Sequence, residues 1–444
     1  MHVFPPGFLF GTATSATQVE GHCTTTDWYT FAQRGRVKDG GTLDVACDEW
    51  NRYREDVALQ RSLGMNAARL SVEWGRIEPR PGAFDAAVLD HYRSILGAHV
   101  DAGLRPMVTL HHFTLPQWMA DRGGLLAPEL PERMARFARE TALALGDLCR
   151  EWITVNEPSV LAAHAHLLGA WPPEGKNARD AALAHHRLLA AHVEMYRALH
   201  DADARGDLAA GVAHHLRVAQ PLRPDHRADR AAARAFARVF NDPFAHALCT
   251  GELLGPLDAV LTRSGAFNPA DAKGTQDFLG INYYSRDLVR FDPTHAAELF
   301  VRREVAPGVE TSDLGWEIYP EGLLTVIDEW SRRSGRLPIY ITENGVADAR
   351  DRLRPRFLVR HLARVARAIA GGIDVRGYYH WSLLDNFEWA EGYTPRFGLV
   401  EVDYATQARR PRPSAELYAR IARTHAIDAE TWTRLGDSPQ VAMA

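Results

Sequence analysis

The chain has 444 residues, a formal net charge of −5 and four cysteines. The mildly acidic balance argues against a partner held through phosphate contacts, so no nucleic acid is expected. Cys23, Cys47, Cys149 and Cys249 form no CxxC and are too sparse for a disulfide framework, and no apolar run reaches the ~20 residues of a membrane span. The opening Met1-His2-Val3-Phe4-Pro5-Pro6-Gly7 has no basic n-region and no continuous apolar run, so a soluble cytoplasmic protein is expected. The length allows two or three domains, but barrels with insertions run past ~400 residues as one.

Strand and helix signals alternate along the chain. Strand-like runs are Phe8–Thr14, Asn66–Trp74, Arg105–His112, Trp152–Glu157, Ala209–Leu216, Asp277–Tyr284, Leu337–Glu343 and Gly377–Leu383. Helical stretches fall between and after them: Asp48–Leu63, Asp85–Val100, Pro131–Leu148, Asp180–Leu199, Arg230–Leu248, Pro320–Ser334, Pro355–Ala370 and Ser414–Thr424. In Pro131–Leu148, Met134, Phe137, Thr141, Leu145 and Leu148 make one apolar stripe, and Pro131 suits a helix start. Strict alternation implies a parallel sheet, and eight units favour a (β/α)8 barrel over an open sheet. The whole of residues 1–444 reads as that one domain, with disorder expected after about residue 431. Long stretches follow strands 1, 6 and 8: Ser15–Cys47, Ser285–Gly315 and Leu384–Arg412. In a barrel they sit on the face that carries catalysis.

Two of the strands end on a carboxylate. Pro338-Ile339-Tyr340-Ile341-Thr342-Glu343-Asn344-Gly345 is an apolar run that closes on Glu343 and turns at Asn-Gly. Trp152-Ile153-Thr154-Val155-Asn156-Glu157-Pro158 repeats the design. A strand-end Glu alone can fray into solvent. Two at the ends of two parallel strands of one barrel would face one space, and paired carboxylates on either side of a scissile bond are what glycosidic hydrolysis requires. Asn156 and Glu157 are neighbours, so both reach that space only if the strand ends there. By the same alternation Phe278, Gly280, Asn282 and Tyr284 share one face, as do Val108, Leu110 and His112.

With both motifs placed, the chain resembles glycoside hydrolase family 1, the retaining β-glucosidase family. Phe8 to Gly21 looks like its N-terminal signature, Thr154–Pro158 like its acid/base motif and Ile341–Gly345 like its nucleophile motif. Phe278–Tyr284 and Trp381–Trp389, continuing through Gly392-Tyr393 and Arg396–Leu399, also match. The resemblance implies a single barrel, no metal and no organic cofactor. It implies Glu343 as nucleophile, Glu157 as acid/base, and Arg69 beside the nucleophile, where its cation would keep Glu343 ionised. Gln18, His112, Asn156, Asn282, Tyr284, Trp381, Glu388 and Trp389 would line the sugar subsite. Amides, imidazole and carboxylate read hydroxyls by directed hydrogen bonds, and Trp381 offers an apolar platform. One departure is Leu110-His111-His112-Phe113, where the family usually has an aromatic, then His, then Trp.

The implied substrate is a small-molecule β-glycoside or oligosaccharide with a terminal, unphosphorylated β-D-glucosyl residue, with galactosyl and fucosyl left open. Phosphate-binding members carry a Ser, Lys and Tyr set in the region where this chain has Glu388 and no Lys. Glu157, where thioglucosidases have Gln, indicates O-glycosides. Two alternatives use the same fold: a transglycosidase with the same intermediate, and a non-catalytic sugar binder, although such relatives lack one of the two carboxylates. Oligomeric state is left open. His111/His112, His185/His186 and His214/His215 lack metal-site spacing and diverge on their elements, so no metal site is expected at them. Arg352–Arg367 reads as a solvated helix face.

Overall fold

The computed structural model describes residues 1–254, 267–295 and 300–435. Eight strands close into a barrel: β1 (Leu9–Ala13), β2 (Ala67–Ser71), β3 (Arg105–His111), β4 (Glu151–Asn156), β5 (Ala209–His215), β6 (Phe278–Asn282), β7 (Ile339–Asn344) and β8 (Val375–Trp381). Each pairs in parallel with its sequence neighbours, and β8 closes the ring against β1, with Gly377 opposite Leu9 and Trp381 opposite Ala13. All eight predicted strands are present, each shifted by no more than a few residues.

Alternation sorts the side chains into two layers. Leu9, Ala67, Met107, Ile153, Ala213, Phe278, Tyr340 and Tyr379 fill the barrel interior, as inward positions of successive strands do in such barrels. Phe10, Leu279, Ile281, Ile339, Ile341 and Tyr378 face the surrounding helices, as do Val108, Leu110, Val155 and Val212. The helix Leu130–Leu145 buries Met134, Phe137, Thr141 and Leu145 as its sequence stripe requires, and Phe137 stacks on Trp74 at 5.4 Å.

Along the chain the fold departs from the sequence reading as follows. Arg230–Leu248 is two helices, Arg227–Phe240 and Asp242–Thr250, because Pro243 has no N–H to continue the first and its ring crowds the preceding turn. Val218–Pro221, Arg286–Phe291 and Val301–Glu304 form a small sheet above the barrel, so the stretch after β6 is a hairpin rather than open loop; residues 296–299 lie outside the described set. The stretch after β8 likewise holds a hairpin, Val400–Asp403 with Ala408–Pro411. Arg354 is fully buried, not solvated: it donates to the carbonyls of Asp348 (2.7 Å) and Arg396 (2.8 Å) and pairs with Asp351. Ala429–Arg434 is a helix capped by Asp428, with Trp432 buried; residues 436–444 lie outside the described set. No described helix is long and apolar enough to cross a membrane.

Candidate active site

The two strand-end carboxylates reach the barrel mouth because their strands break register. In β7, Tyr340 points inward while Ile339 and Ile341 point outward. Strict alternation would send Glu343 outward with them. The pairing with β6 shifts between Ile341 and Glu343, and such an irregularity re-aims side chains at a strand end. Thr342 and Glu343 consequently both face inward: the Thr342 hydroxyl donates to Asn282 Oδ1 at 2.6 Å, and Glu343 meets Arg69. β4 does the same. Its register against β5 shifts between Ile153 and Asn156, and Glu157 takes a left-handed φ of 46° at the cap of the next helix. That is how adjacent Asn156 and Glu157 come to share one side. Gly345, just past β7, fits where no larger residue could, since a Cβ there would lie 1.8 Å from the Trp381 carbonyl oxygen.

A short chain of hydrogen bonds links the carboxylates. Arg69, fully buried on the inward face of β2, donates through Nη1 to Glu343 Oε1 (2.6 Å) and through Nη2 to Asn156 Oδ1 (2.7 Å). Asn282 Nδ2 donates to Asn156 Oδ1 (3.1 Å) and to Glu157 Oε1 (2.8 Å). The Tyr284 hydroxyl donates to Glu343 Oε2 at 2.6 Å. Glu343 thus has a charge-assisted donor on each oxygen, the arrangement that suits a carboxylate. Burial pushes the Glu343 carboxyl up to about 7, against the pull of Arg69 and with the push of Glu157. Burial also raises Glu157, but His215, Asn282 and Arg69 together outweigh it and hold that carboxyl below its usual range. The sequence reading puts the more weakly held proton on Glu343. Burial of Glu343 contributes to the difference, as does His215, whose Nδ1 stands 3.3 Å from Glu157 Oε1.

The structure brings the expected sugar-lining residues to the same mouth. His112 lies near-parallel to Trp381 and to Trp389, each at 5.9 Å between ring centres. Its Nε2 accepts from Asn156 Nδ2 at 3.2 Å, so Nδ1 carries the proton and has no partner among the described residues. Burial holds this ring neutral. His112 does not share a face with Val108 and Leu110 as expected. Those two pack outward, and His112 turns in because β3 ends at His111 and Phe113 is left-handed at φ 72°. Gln18 is committed to its neighbours: Nε2 donates to Asn386 Oδ1 (3.0 Å) and the Phe387 carbonyl (2.7 Å), and Oε1 accepts from Ser15. Those bonds tie the short helix Ala16–Val19, which follows β1, to the segment that carries Glu388 and Trp389. Asp385 anchors the same segment, accepting from Arg412 Nη1 (2.9 Å) and Nη2 (2.8 Å). Beside Tyr284, Trp316 packs at 5.7 Å and is part of the lining of a cavity of about 300 Å³ with Arg217, Ser285 and Glu317.

Glu388 is half-buried, and its Oε2 is buried and unpartnered among the described residues. Arg396, eight residues on, pairs with Asp385 at 3.4 Å. Burial, then Glu343 and Glu157, push the Glu388 carboxyl up to about 8. The folded protein therefore keeps a proton there that the unfolded chain loses near 4.5, and stability falls as pH rises between the two values. Glu388→Gln should therefore match wild type near pH 5 and gain on it up to pH 8, by at most about 1.4 kcal/mol per pH unit. Melting temperatures across that range check this; parallel curves would contradict it.

An eight-stranded parallel barrel with two buried carboxyls, an arginine and stacked aromatics at the C-terminal strand ends defines a glycoside-hydrolase type of site. The chain belongs to glycosyl hydrolase family 1, whose profile it matches over residues 1–427. β-Glucosidase A of Thermotoga maritima is 34% identical over 450 aligned positions, covering 96% of this chain and 99% of that one. A bifunctional β-D-glucosidase/β-D-fucosidase of Bifidobacterium breve is 35% identical, covering 95% and 99%. Among solved structures, a β-glycosidase from Pyrococcus horikoshii superposes with a TM-score of 0.89 at 36% identity, covering 99% of this chain and all of that one. The protein is an O-glycoside hydrolase of the β-glucosidase type.

Proposed function

We propose that this β-glycosidase is exo-acting and retaining, removing terminal non-reducing β-D-glucosyl residues through a covalent glycosyl-enzyme. The observation that carries the reading is the Glu343–Arg69–Asn156–Asn282–Glu157 chain, which holds two carboxyls from β7 and β4 against one space. In the first step a Glu343 oxygen attacks the anomeric carbon. The bond to the leaving oxygen breaks with its electron pair, and Glu157 gives that oxygen its proton. In the second, Glu157 takes a proton from water as the water displaces Glu343. The reacting form has Glu343 ionised, since Arg69 and Tyr284 both donate to it, and the proton on Glu157. The two carboxyls titrate as a pair, so kcat/KM should be bell-shaped in pH with limbs that belong to both.

His112 Nδ1–H and the free Glu388 oxygen are the polar groups left for sugar hydroxyls, with Trp381 and Trp389 as apolar walls. Asn156, Asn282, Tyr284 and Gln18 hold the frame from behind. The four free cysteines support a cytoplasmic setting, and a barrel built from strands spread over most of the chain supports one domain across residues 1–444. Galactosyl and fucosyl residues fit the same frame. Phosphorylated sugars do not: Glu388, Glu343 and Glu157 stand together, and a phosphate dianion there meets no cation of its own. The test is kcat/KM for a β-glucoside and its 6-phosphate. Wild type should favour the unphosphorylated sugar by about 100-fold or more, which is about 2.7 kcal/mol, and Glu388→Ser should narrow the ratio. Wild type favouring the phosphate would overturn the assignment.

A further inference from the structure

β5 keeps strict alternation to its end. Ala210 and Val212 face the helices, His214 packs on Phe244 of the helix Asp242–Thr250, and Ala213 faces the barrel interior. His215 therefore turns inward, and Nδ1 stands 3.3 Å from Glu157 Oε1, the oxygen that Asn282 also holds. Tyr284 at 5.6 Å and Phe240 at 5.7 Å wall the ring. Nε2 is buried with no hydrogen-bond partner among the described residues, so Glu157 is the polar group that the ring serves.

We propose that His215 is a positioning residue that governs when Glu157 can act as the acid, by placing its imidazole Nδ1 against the Glu157 oxygen that Asn282 also holds. This rests on the role assigned to Glu157 above. An imidazolium at Oε1 favours the carboxylate, so it ends acid catalysis at a lower pH than a neutral side chain would. The other charged groups do not duplicate it. Arg69 reaches Glu157 but is bonded to Glu343 and Asn156. Arg217 lies over the Phe240 ring at 5.3 Å and pairs with Asp287 at 3.3 Å. His164 interacts with Glu157, and burial keeps it toward the neutral form. Glu343 and Glu388, where ionised, oppose ionisation of Glu157 rather than favour it, and burial keeps the Tyr284 phenol neutral.

The test uses His215→Asn, which keeps a donor but cannot titrate, and His215→Phe, which keeps bulk alone. kcat/KM is measured from pH 5 to 9 on an alkyl β-glucoside, whose leaving oxygen needs a proton, and on 2,4-dinitrophenyl β-glucoside, whose leaving group does not. In both variants the alkaline limb for the alkyl substrate should move up by about one pH unit, while that for the dinitrophenyl substrate stays in place. An unmoved limb for the alkyl substrate would overturn the proposal, as would an equal shift for both substrates, which a merely structural role produces. Should His215→Phe not fold, the Asn variant decides alone. Failure of the underlying reading looks different: Glu157→Ala would then slow both substrates equally, whatever the His215 variants do.

Discussion

Glu343→Gly should abolish hydrolysis of every β-glucoside, by about 10⁴-fold or more, because it deletes the atom that takes up the anomeric carbon. The loss should be specific to chemistry. Arg69 would still have Asn156, and Tyr284 would lose only an acceptor, so the variant should fold with at most modest destabilisation and still bind sugar. The vacated space beside Arg69 suits a small anion. Azide or formate should enter it and restore turnover on an activated β-glucoside, and because the anion attacks directly the azide product should have the α configuration. Rescue yielding the β-azide, or a variant with more than a few per cent of wild-type turnover, would remove Glu343 from the role.

Glu157→Ala should split substrates by leaving group. Acid assistance is worth about 10²–10⁴-fold where the departing oxygen is basic and little where it is not. Glycosylation by a dinitrophenyl glucoside should therefore be nearly spared while an alkyl glucoside is crippled, and the second step should slow for both because the base is gone. A steady-state KM that falls together with kcat for the dinitrophenyl substrate would report the accumulating intermediate. The alkaline limb of the bell should also vanish. Its sign follows from the site: raising pH takes the proton from Glu157, the form the first step needs, and a variant without that carboxyl has no such proton to lose. Equal losses for both leaving groups would contradict the assignment.

The barrel was readable from sequence because parallel strands covered on both faces leave apolar runs, and the helices between them leave 3.6-residue stripes. Arg69, Asn282 and Tyr284 were readable in another way, since plain alternation along β2 and β6 points them inward. Glu343, Asn156 and His112 were not. Each sits where a strand breaks register or stops, and periodicity run through those points sends it to the wrong face. Their place came from the resemblance of the motifs, which carries such irregularities with it. His215 shows the reverse failure. Alternation from Gly211 and Ala213 points it to the barrel mouth, but the His214-His215 pair carries no metal-site spacing and no motif that marks it. Pro243 marks the helix break inside the stretch Arg230–Leu248. The burial of Arg354 depends on carbonyls from residues 348 and 396, which nothing local to Arg352–Arg367 reveals.

The central claim is a double displacement between Glu343 and Glu157, and the anomer first released reports on it most directly. Wild-type enzyme acting on an aryl β-glucoside, followed by proton NMR within the first minutes, should show β-glucose accumulating before mutarotation brings in the α form. Two inversions at one carbon require that order. Early α-glucose would mean a single displacement by water and would contradict the covalent role given to Glu343.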